Sequence, residues 1–237
     1  VALRGAFEAL AKQDFATALH KLLECVERDE AAALYVLGEA RRNGGWTLRK
    51  DTREAEKFYR RAIDKGCTRA MVSYVSWSNE IQPAAKERWK REAFLAASNS
   101  NDLTALGMCC AWGIGCDADL GKAREYCYEA AVTGDYEAQY YYAHFLGNED
   151  EETAARWFRE AAARGCTSAM LALTWLEPAN STARFRLFYK AAVLGDLYCA
   201  EEAARCLEKG LGGAPVNLVE AAKLKVSANS ALIEVSL

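Results

Sequence analysis

Cysteine is the residue type in this 237-residue chain that could most readily do chemistry, as a thiol nucleophile, a metal ligand or a disulfide partner. The chain has nine at irregular spacing: Cys25, Cys67, Cys109, Cys110, Cys116, Cys127, Cys166, Cys199 and Cys206. Structural zinc sites favour C-x2-C pairs, whereas Cys109, Cys110 and Cys116 form C-C-x5-C. Only His20 and His144 add imidazole groups. We therefore predict no metal site, and we expect free, mostly buried thiols, as in a protein of a reducing compartment.

The remaining chemical motifs are also weak. A cysteine nucleophile needs a base and an oxyanion pocket within reach, and the sequence has no motif for either. The glycine-rich stretches GIG at 113–115 and GLGG at 210–213 follow no predicted strand and lack the Lys-Ser/Thr pair of a phosphate loop. We interpret them as turns, and we predict neither an enzyme nor a bound cofactor.

Composition describes the scaffold that carries these residues. A hydrophobic fraction of 51% with 27% charged residues predicts a folded chain, and only 3 prolines favour helices over turn-rich sheets. A net charge of −3 argues against nucleic acid as a partner. No apolar window reaches the roughly 18 residues of a membrane span, so no membrane partner is expected. We predict a cytoplasmic location and leave export open, because the chain begins at Val1.

Internal similarity reveals how the helices are organised. FYRRAIDKGCTRAM at 58–71 is echoed by WFREAAARGCTSAM at 157–170, and more loosely at 126–139 and 187–200. Each copy contains an aromatic pair, an alanine-rich turn, a glycine and the start of a new helix. Alanine permits close helix packing, and glycine provides the left-handed residue that commonly ends a helix. A recurring unit of this kind predicts an array of helix pairs.

Counting from the end of each preceding helix gives repeat starts at Ala33, Ala70, Ala138, Ala169 and Cys199, and Asp102 is the best match in between, which makes six. An amphipathic stretch precedes them and predicts a lead-in hairpin at 1–28. Helices of this length with short loops stack antiparallel on one another. The chain is thus predicted to be an all-α solenoid of about six helix pairs in a single domain, 1–237.

The segment 105–135 resembles a Sel-one-like repeat, a relative of the tetratricopeptide repeat. It matches that family's pattern at Leu106, Gly107, Gly113, Gly115, Asp119, Lys122, Ala123, Ala130, Ala131 and Gly134. The first and last copies match in part, and those beginning at Ala70, Ala138 and Ala169 lack the Gly-x-Gly loop. In the family's cysteine-rich branch a disulfide ties neighbouring helices, but Ile63 and Met71 occupy the first such positions here. The resemblance therefore implies no disulfide.

This resemblance implies a right-handed α/α superhelix that acts as a protein-interaction scaffold or adaptor. The partner would be another protein or a peptide on the concave face, and the oligomeric state is not predicted. Two other roles stay open: an inhibitory or regulatory module that blocks one partner, and a groove with a hidden ligand-binding or enzymatic site.

The first helices supply the candidate binding residues. A stripe marked by Leu37, Tyr74, Leu106, Tyr142 and Leu173 is predicted to face the second helices, so residues three and six places after each start should face the groove. That reading predicts a partner-binding aromatic patch across three repeats, made of Trp112, Tyr140, Tyr141, His144 and Trp175 with Met108 beside it. The alternative, that several of them pack between first helices, stays open.

Overall fold

A computed structural model describes residues 2–11, 15–43, 48, 50–79, 81–147, 149–193 and 196–230, and within these ranges it is helical with no strand. The helices are α1 Ala2–Ala11, α2 Phe15–Glu27, α3 Ala31–Asn43, α4 Thr52–Asp64, α5 Thr68–Trp77, α6 Pro83–Ser100, α7 Leu103–Trp112, α8 Leu120–Val132, α9 Tyr136–Leu146, α10 Glu151–Ala163, α11 Thr167–Leu176, α12 Thr182–Val193, α13 Leu197–Lys209 and α14 Leu218–Ser230. A 3₁₀ turn, Leu211–Gly213, precedes α14. The predicted all-α class is confirmed.

The helices stack in pairs along the chain. Each helix packs mainly on the one before it and the one after it, and the first helices α5, α7 and α9 also contact one another in order. The hairpin α1–α2 leads into six pairs, from α3–α4 to α13–α14. This nearest-neighbour stacking is the architecture of a helical solenoid, as the sequence predicted.

Aspartates begin many of these helices. The Asp51, Asp119 and Asp150 side chains accept hydrogen bonds from the first-turn N–H groups of α4, α8 and α10, and Asp135 and Asp196 do the same for α9 and α13. The first N–H groups of a helix lack intrahelical partners, so each such cap typically contributes about 1 kcal/mol.

The third repeat start needs a correction. Asp102 is the N-cap of α7 and accepts from the Ala105 N–H, so it aligns with the N-caps Cys67 and Asp135. The structure therefore makes Ala105, rather than Asp102, the equivalent of Ala70. Starting the repeat at Asp102 shifted its predicted positions by one helical turn. In the structure Met108 of α7 is equivalent to Tyr141 of α9.

The Gly-x-Gly loop after α7 has a steric origin. Gly113 ends α7 in the left-handed conformation at φ +61°. Gly115, at φ +73°, lies against the second helix of the preceding pair, where an added Cβ would stand 2.4 Å from the Lys90 carbonyl oxygen and 2.8 Å from the Phe94 Cβ. Gly212 approaches Ser181 of the preceding pair in the same way. The second glycine thus lets the loop pack directly on helix backbone.

The core lies between first and second helices. Leu37, Tyr74, Leu106 and Leu173 of the predicted stripe are at most 6% exposed, and Tyr142 is half-buried. Alanines fill much of the remaining interface, and at Gly107 a Cβ would lie only 2.4 Å from the Cys127 Sγ. Close approach of α7 and α8 therefore explains the Leu-Gly pair in the repeat.

Candidate functional site

Arg69 is the hub of an ion-pair network that crosses three first helices. Its guanidinium donates to Asp102 at 3.1 Å, to Asp135 at 2.5 Å and to Glu137 at 2.8 Å. The Arg69 side chain is 26% exposed and the carboxylates are 15–18% exposed, so the pairs are largely shielded from water. The Thr104 hydroxyl donates to Asp135 at 3.0 Å. The network joins the N-terminal ends of α5, α7 and α9.

A second set of contacts brings α3 onto the same network. The Tyr35 hydroxyl donates to Glu137 Oε1 at 2.9 Å, across 102 residues of sequence. Nearby, Glu39 accepts from the Tyr59 hydroxyl at 2.6 Å and from Arg42 at 2.8 Å. The bond between Tyr35 and Glu137 therefore joins α3 to α9, which are the first helices of the first and fourth pairs.

Several inner positions between α3 and α9 are packed. Val36, Ser73 and Ala105, three of the positions predicted to face an open groove, are 8%, 2% and 0% exposed. The physical reason is curvature: the first helices converge until their side chains bond to one another. Ser76, another of the predicted positions, is exposed, so only part of this inner side is packed among the described residues.

Glu137 is a carboxyl group whose pKa is changed by this packing. Its pKa is raised from 4.5 to about 7: burial is the largest cause, Arg69 opposes it by lowering the pKa, and Asp135 and Glu39 add to the rise. In the unfolded chain the carboxyl regains an ordinary pKa. The folded protein thus binds the extra proton between pH 4.5 and about 7, and this group's contribution to stability falls as pH rises through that range.

We expect Glu137→Gln to flatten this pH dependence. The free energy of unfolding of the natural chain should fall on the order of 2 kcal/mol more than that of the variant between pH 5 and pH 7.5. Urea unfolding of both chains at several pH values measures the difference, and the other titrating residues cancel because both chains contain them. Parallel pH profiles for the two chains would contradict this assignment.

Four of the predicted patch residues do come together. The Trp112 and Tyr141 rings meet edge to face at 5.6 Å, Tyr141 lies 5.1 Å from Tyr140, and Tyr140 stacks on His144 at 5.9 Å. Trp112 is 45% exposed and His144 is exposed, whereas both tyrosines are half-buried. Phe145 packs beneath them, 6.4 Å from Trp112. We call Trp112, Tyr140, Tyr141, His144 and Phe145 the aromatic rim.

The other two predicted residues lie elsewhere. Met108 is 1% exposed in a core cluster with Val72 and Val75, so it offers no surface to a partner. Trp175 is 61% exposed and stacks on Tyr198 at 6.5 Å, with the Arg184 guanidinium 5.4 Å from its ring centre. Trp175 thus belongs to a separate exposed group, one repeat beyond the rim.

An open cleft adjoins the aromatic rim where α7 and α9 end. It is lined by Ala111, Trp112, Leu120, Arg124, His144, Phe145, Leu146, Gly147 and Glu149. Arg124 donates to the Phe145 carbonyl at 2.9 Å and holds Glu149 with two bonds of 2.6 and 2.7 Å. Because these charges satisfy each other, the cleft presents a mainly apolar wall, with Leu120 47% exposed at its edge.

The cysteines behave as small apolar residues. Six are buried, and Cys67, Cys116 and Cys166 are half-buried. Burial raises the pKa of the Cys109 thiol to about 12 and that of Cys116 to about 11. Such thiols stay protonated at neutral pH and are poor nucleophiles. Within the described ranges no group of three or more His, Cys, Asp or Glu side chains is arranged to hold a metal ion.

The Arg69 network was not predicted from the sequence, although a signal was present. Arg69, Thr104 and Glu137 are each the second residue of a first helix, so they occupy one repeat position. Polar residues of opposite charge at a shared position of stacked helices indicate contact between repeats. The link from Tyr35 to Glu137 carries no such signal, because it depends on how far the solenoid curves.

Comparison with known families now places the chain. The Sel1 repeat model matches residues 31–67, 103–131, 137–166 and 198–224, which together exceed half of the sequence. The chain belongs to the Sel1 repeat family. The segments between the matches contain the α5–α6 and α11–α12 pairs, whose second helices pack against Gly115 and Gly212 of the following loops. Sel1 repeat proteins generally mediate protein–protein interactions.

Two solved structures show the same fold. A Sel1 repeat protein from Oxalobacter formigenes is 17% identical with a TM-score of 0.51, and the match covers 96% of each chain. A protective antigen present in uropathogenic Escherichia coli strains, described as displaying an SLR fold, is 21% identical with a TM-score of 0.51. That match covers 90% of this chain and 48% of the antigen, so this chain spans about half of its length. No curated protein matches the sequence.

Among the described residues, every helix is too short or too polar to cross a bilayer.

Proposed function

We propose that this chain is a non-enzymatic scaffold or adaptor that binds a partner protein or peptide at the aromatic rim and its adjoining cleft. The observation that carries the proposal is an exposed tryptophan, Trp112, supported from beneath by Tyr141 and Phe145 at an apolar cleft. Exposed aromatic side chains that rest on a rigid base are typical anchors of protein interfaces.

The chemistry of the cleft favours a partner with an apolar anchor. Trp112 and Leu120 are 45% and 47% exposed although both are large apolar side chains, and a contiguous patch of this kind commonly marks an interaction site. Arg124 and Glu149 neutralise each other at its edge. A leucine or aromatic side chain of the partner would therefore enter the cleft without leaving Arg124 or Glu149 unpaired. The partner's backbone would contact His144 and the exposed end of α9.

This proposal moves the binding site relative to the sequence prediction. The sequence predicted a site on the concave face across three repeats, and side-chain bonds among α3, α5 and α9 occupy part of that inner side. The aromatic rim contains four residues of that predicted patch at the edge where first helices end, and Trp175 is exposed apart from them.

The test is affinity capture on the immobilised 237-residue chain, with captured proteins quantified by mass spectrometry. Trp112→Ala should weaken partner binding by about 2 kcal/mol or more, roughly thirtyfold, because the anchor ring is lost. Leu95→Ala is the matched control, since Leu95 is 57% exposed but lies on the second helix α6. Equal capture by both variants would reject the aromatic rim as the binding site.

A further inference from the structure

Two thiols lie against each other where α7 ends, next to the aromatic rim. Cys110 is in the last turn of α7, and Cys116 is in the loop that follows. The Cys116 thiol donates a hydrogen bond to the Cys110 sulfur. Cys110 belongs to the buried cluster that also contains Phe145, and Cys116 packs against that cluster. The two sulfur atoms are therefore neighbours in the folded chain.

The backbone of the loop holds this pair together. The Ile114 N–H donates to the Cys109 carbonyl at 2.9 Å, which turns the chain back toward α7. The Asp119 N–H donates to the Cys110 carbonyl at 2.9 Å, which ties the far end of the loop to the same helix. Cys116 lies between these two bonds. Its approach to Cys110 therefore follows from the fold of the loop and does not depend on one side-chain rotamer.

Two other cysteines of this region have different surroundings. Cys109 and Cys127 are both 0% exposed. The Cys127 sulfur is packed so closely on α7 that a Cβ at Gly107 would stand 2.4 Å from it. Cys116 is half-buried and so within reach of a small reagent, whereas Cys110 is 4% exposed. A reachable thiol with a buried thiol beside it is the arrangement of an attacking and a resolving cysteine.

We propose that Cys110 and Cys116 form a reversible oxidation site, which closes into a disulfide when it meets a small disulfide such as oxidised glutathione. The Cys116 thiolate attacks one glutathione sulfur, a mixed disulfide forms, and the first glutathione thiolate leaves. The Cys110 thiolate then attacks the Cys116 sulfur, and the second glutathione thiolate leaves. The two protons of the cysteines pass through water to the leaving thiolates. The pair loses two electrons, and one oxidised glutathione becomes two reduced molecules.

The surroundings of the pair determine when it reacts. Burial raises the pKa of both thiols, that of Cys116 to about 11. Because the thiolate is the nucleophile, exchange is slow at neutral pH. The pair therefore stays reduced during brief contact with an oxidant and closes under sustained oxidation. The disulfide encloses the turn that carries Trp112, so the site lies within the segment of the aromatic rim that we propose as its anchor.

Oxidised glutathione in excess over the folded 237-residue chain tests the proposal, at about pH 8.5 to raise the thiolate fraction. We expect the chain to lose two of its nine titratable thiols, counted after denaturation, and peptide mapping to join Cys110 to Cys116. Cys110→Ser should lower the yield of internal disulfide about tenfold or more and leave one glutathione on Cys116, because nothing resolves the mixed disulfide. Dithiothreitol should restore all the thiols of the natural chain.

Cys109→Ser is the matched control, since it removes the adjacent buried thiol. It should change the yield of internal disulfide by less than about twofold, because the resolving thiol remains. Cys110→Ala should behave like Cys110→Ser, which separates loss of the thiol from burial of a hydroxyl, and circular dichroism checks the fold of each variant. Nine free thiols in the treated natural chain, or equal losses in the Cys109 and Cys110 variants, would overturn the proposal. Neither result alters the Trp112 capture experiment, which uses the reduced chain.

Discussion

Replacing Arg69 with alanine should lower the free energy of unfolding by about 3–5 kcal/mol at pH 7.5. The substitution removes the only cation paired with Asp102, Asp135 and Glu137 among the ion pairs described, and it leaves these carboxylates close together in a poorly hydrated interior. Urea or guanidinium unfolding followed by circular dichroism measures the loss. The cost should be smaller at pH 5, where Glu137 binds a proton.

The matched control is Arg88→Ala. Arg88 pairs with Glu92 within α6 at 3.5 Å, and the two side chains are 67% and 49% exposed. A surface pair of this kind should contribute less than about 0.5 kcal/mol. If the Arg69 and Arg88 substitutions lower the free energy of unfolding equally, the Arg69 network does not stabilise the packing of α5, α7 and α9.

Gly115→Ala should cost about 3 kcal/mol, the second large effect. The residue is held at φ +73°, and its new methyl group would stand 2.4 Å from the Lys90 carbonyl oxygen. Backbone strain costs about 1 kcal/mol, and displacement of α6 or of the loop adds about 1–3 kcal/mol. Thermal or chemical unfolding of the purified variant provides the measurement.

Gly66→Ala separates the two causes of that loss. Gly66 has φ +81°, but an added Cβ would meet nothing within 4 Å. Its replacement should therefore cost only the strain, about 1 kcal/mol. Gly212→Ala should cost an intermediate amount of stability, because an added Cβ would lie 3.0 Å from the Ser181 carbonyl oxygen. Equal losses at positions 66 and 115 would show that loop packing on α6 is unimportant.

The helical fold could be predicted because its signals are local. Aspartates at helix starts, glycines at helix ends and alanine-rich second helices each act within a few residues, and together they define the six pairs and the lead-in hairpin. The error at Asp102 has the same origin. A capping aspartate and a first-turn alanine both mark a helix start, and sequence spacing alone did not separate them by one turn.

The binding site could be predicted only in part, because it depends on curvature. Helical spacing correctly grouped Trp112, Tyr140, Tyr141 and His144, which lie on adjacent first helices. Helical spacing did not predict that Trp175 lies apart from the aromatic rim, because the rotation from one pair to the next is small and accumulates over several pairs. The same accumulated rotation brings Tyr35 to Glu137 across 102 residues.

Amide hydrogen exchange on the chain with and without its captured partner tests the central claim most directly. We expect the partner to protect the cleft residues 111, 112, 120, 124, 144–147 and 149, while the buried inner segments around Val36, Ser73 and Ala105 exchange equally slowly in both states. Protection confined to the outer faces of second helices such as α6 and α8, with the cleft unchanged, would contradict the account.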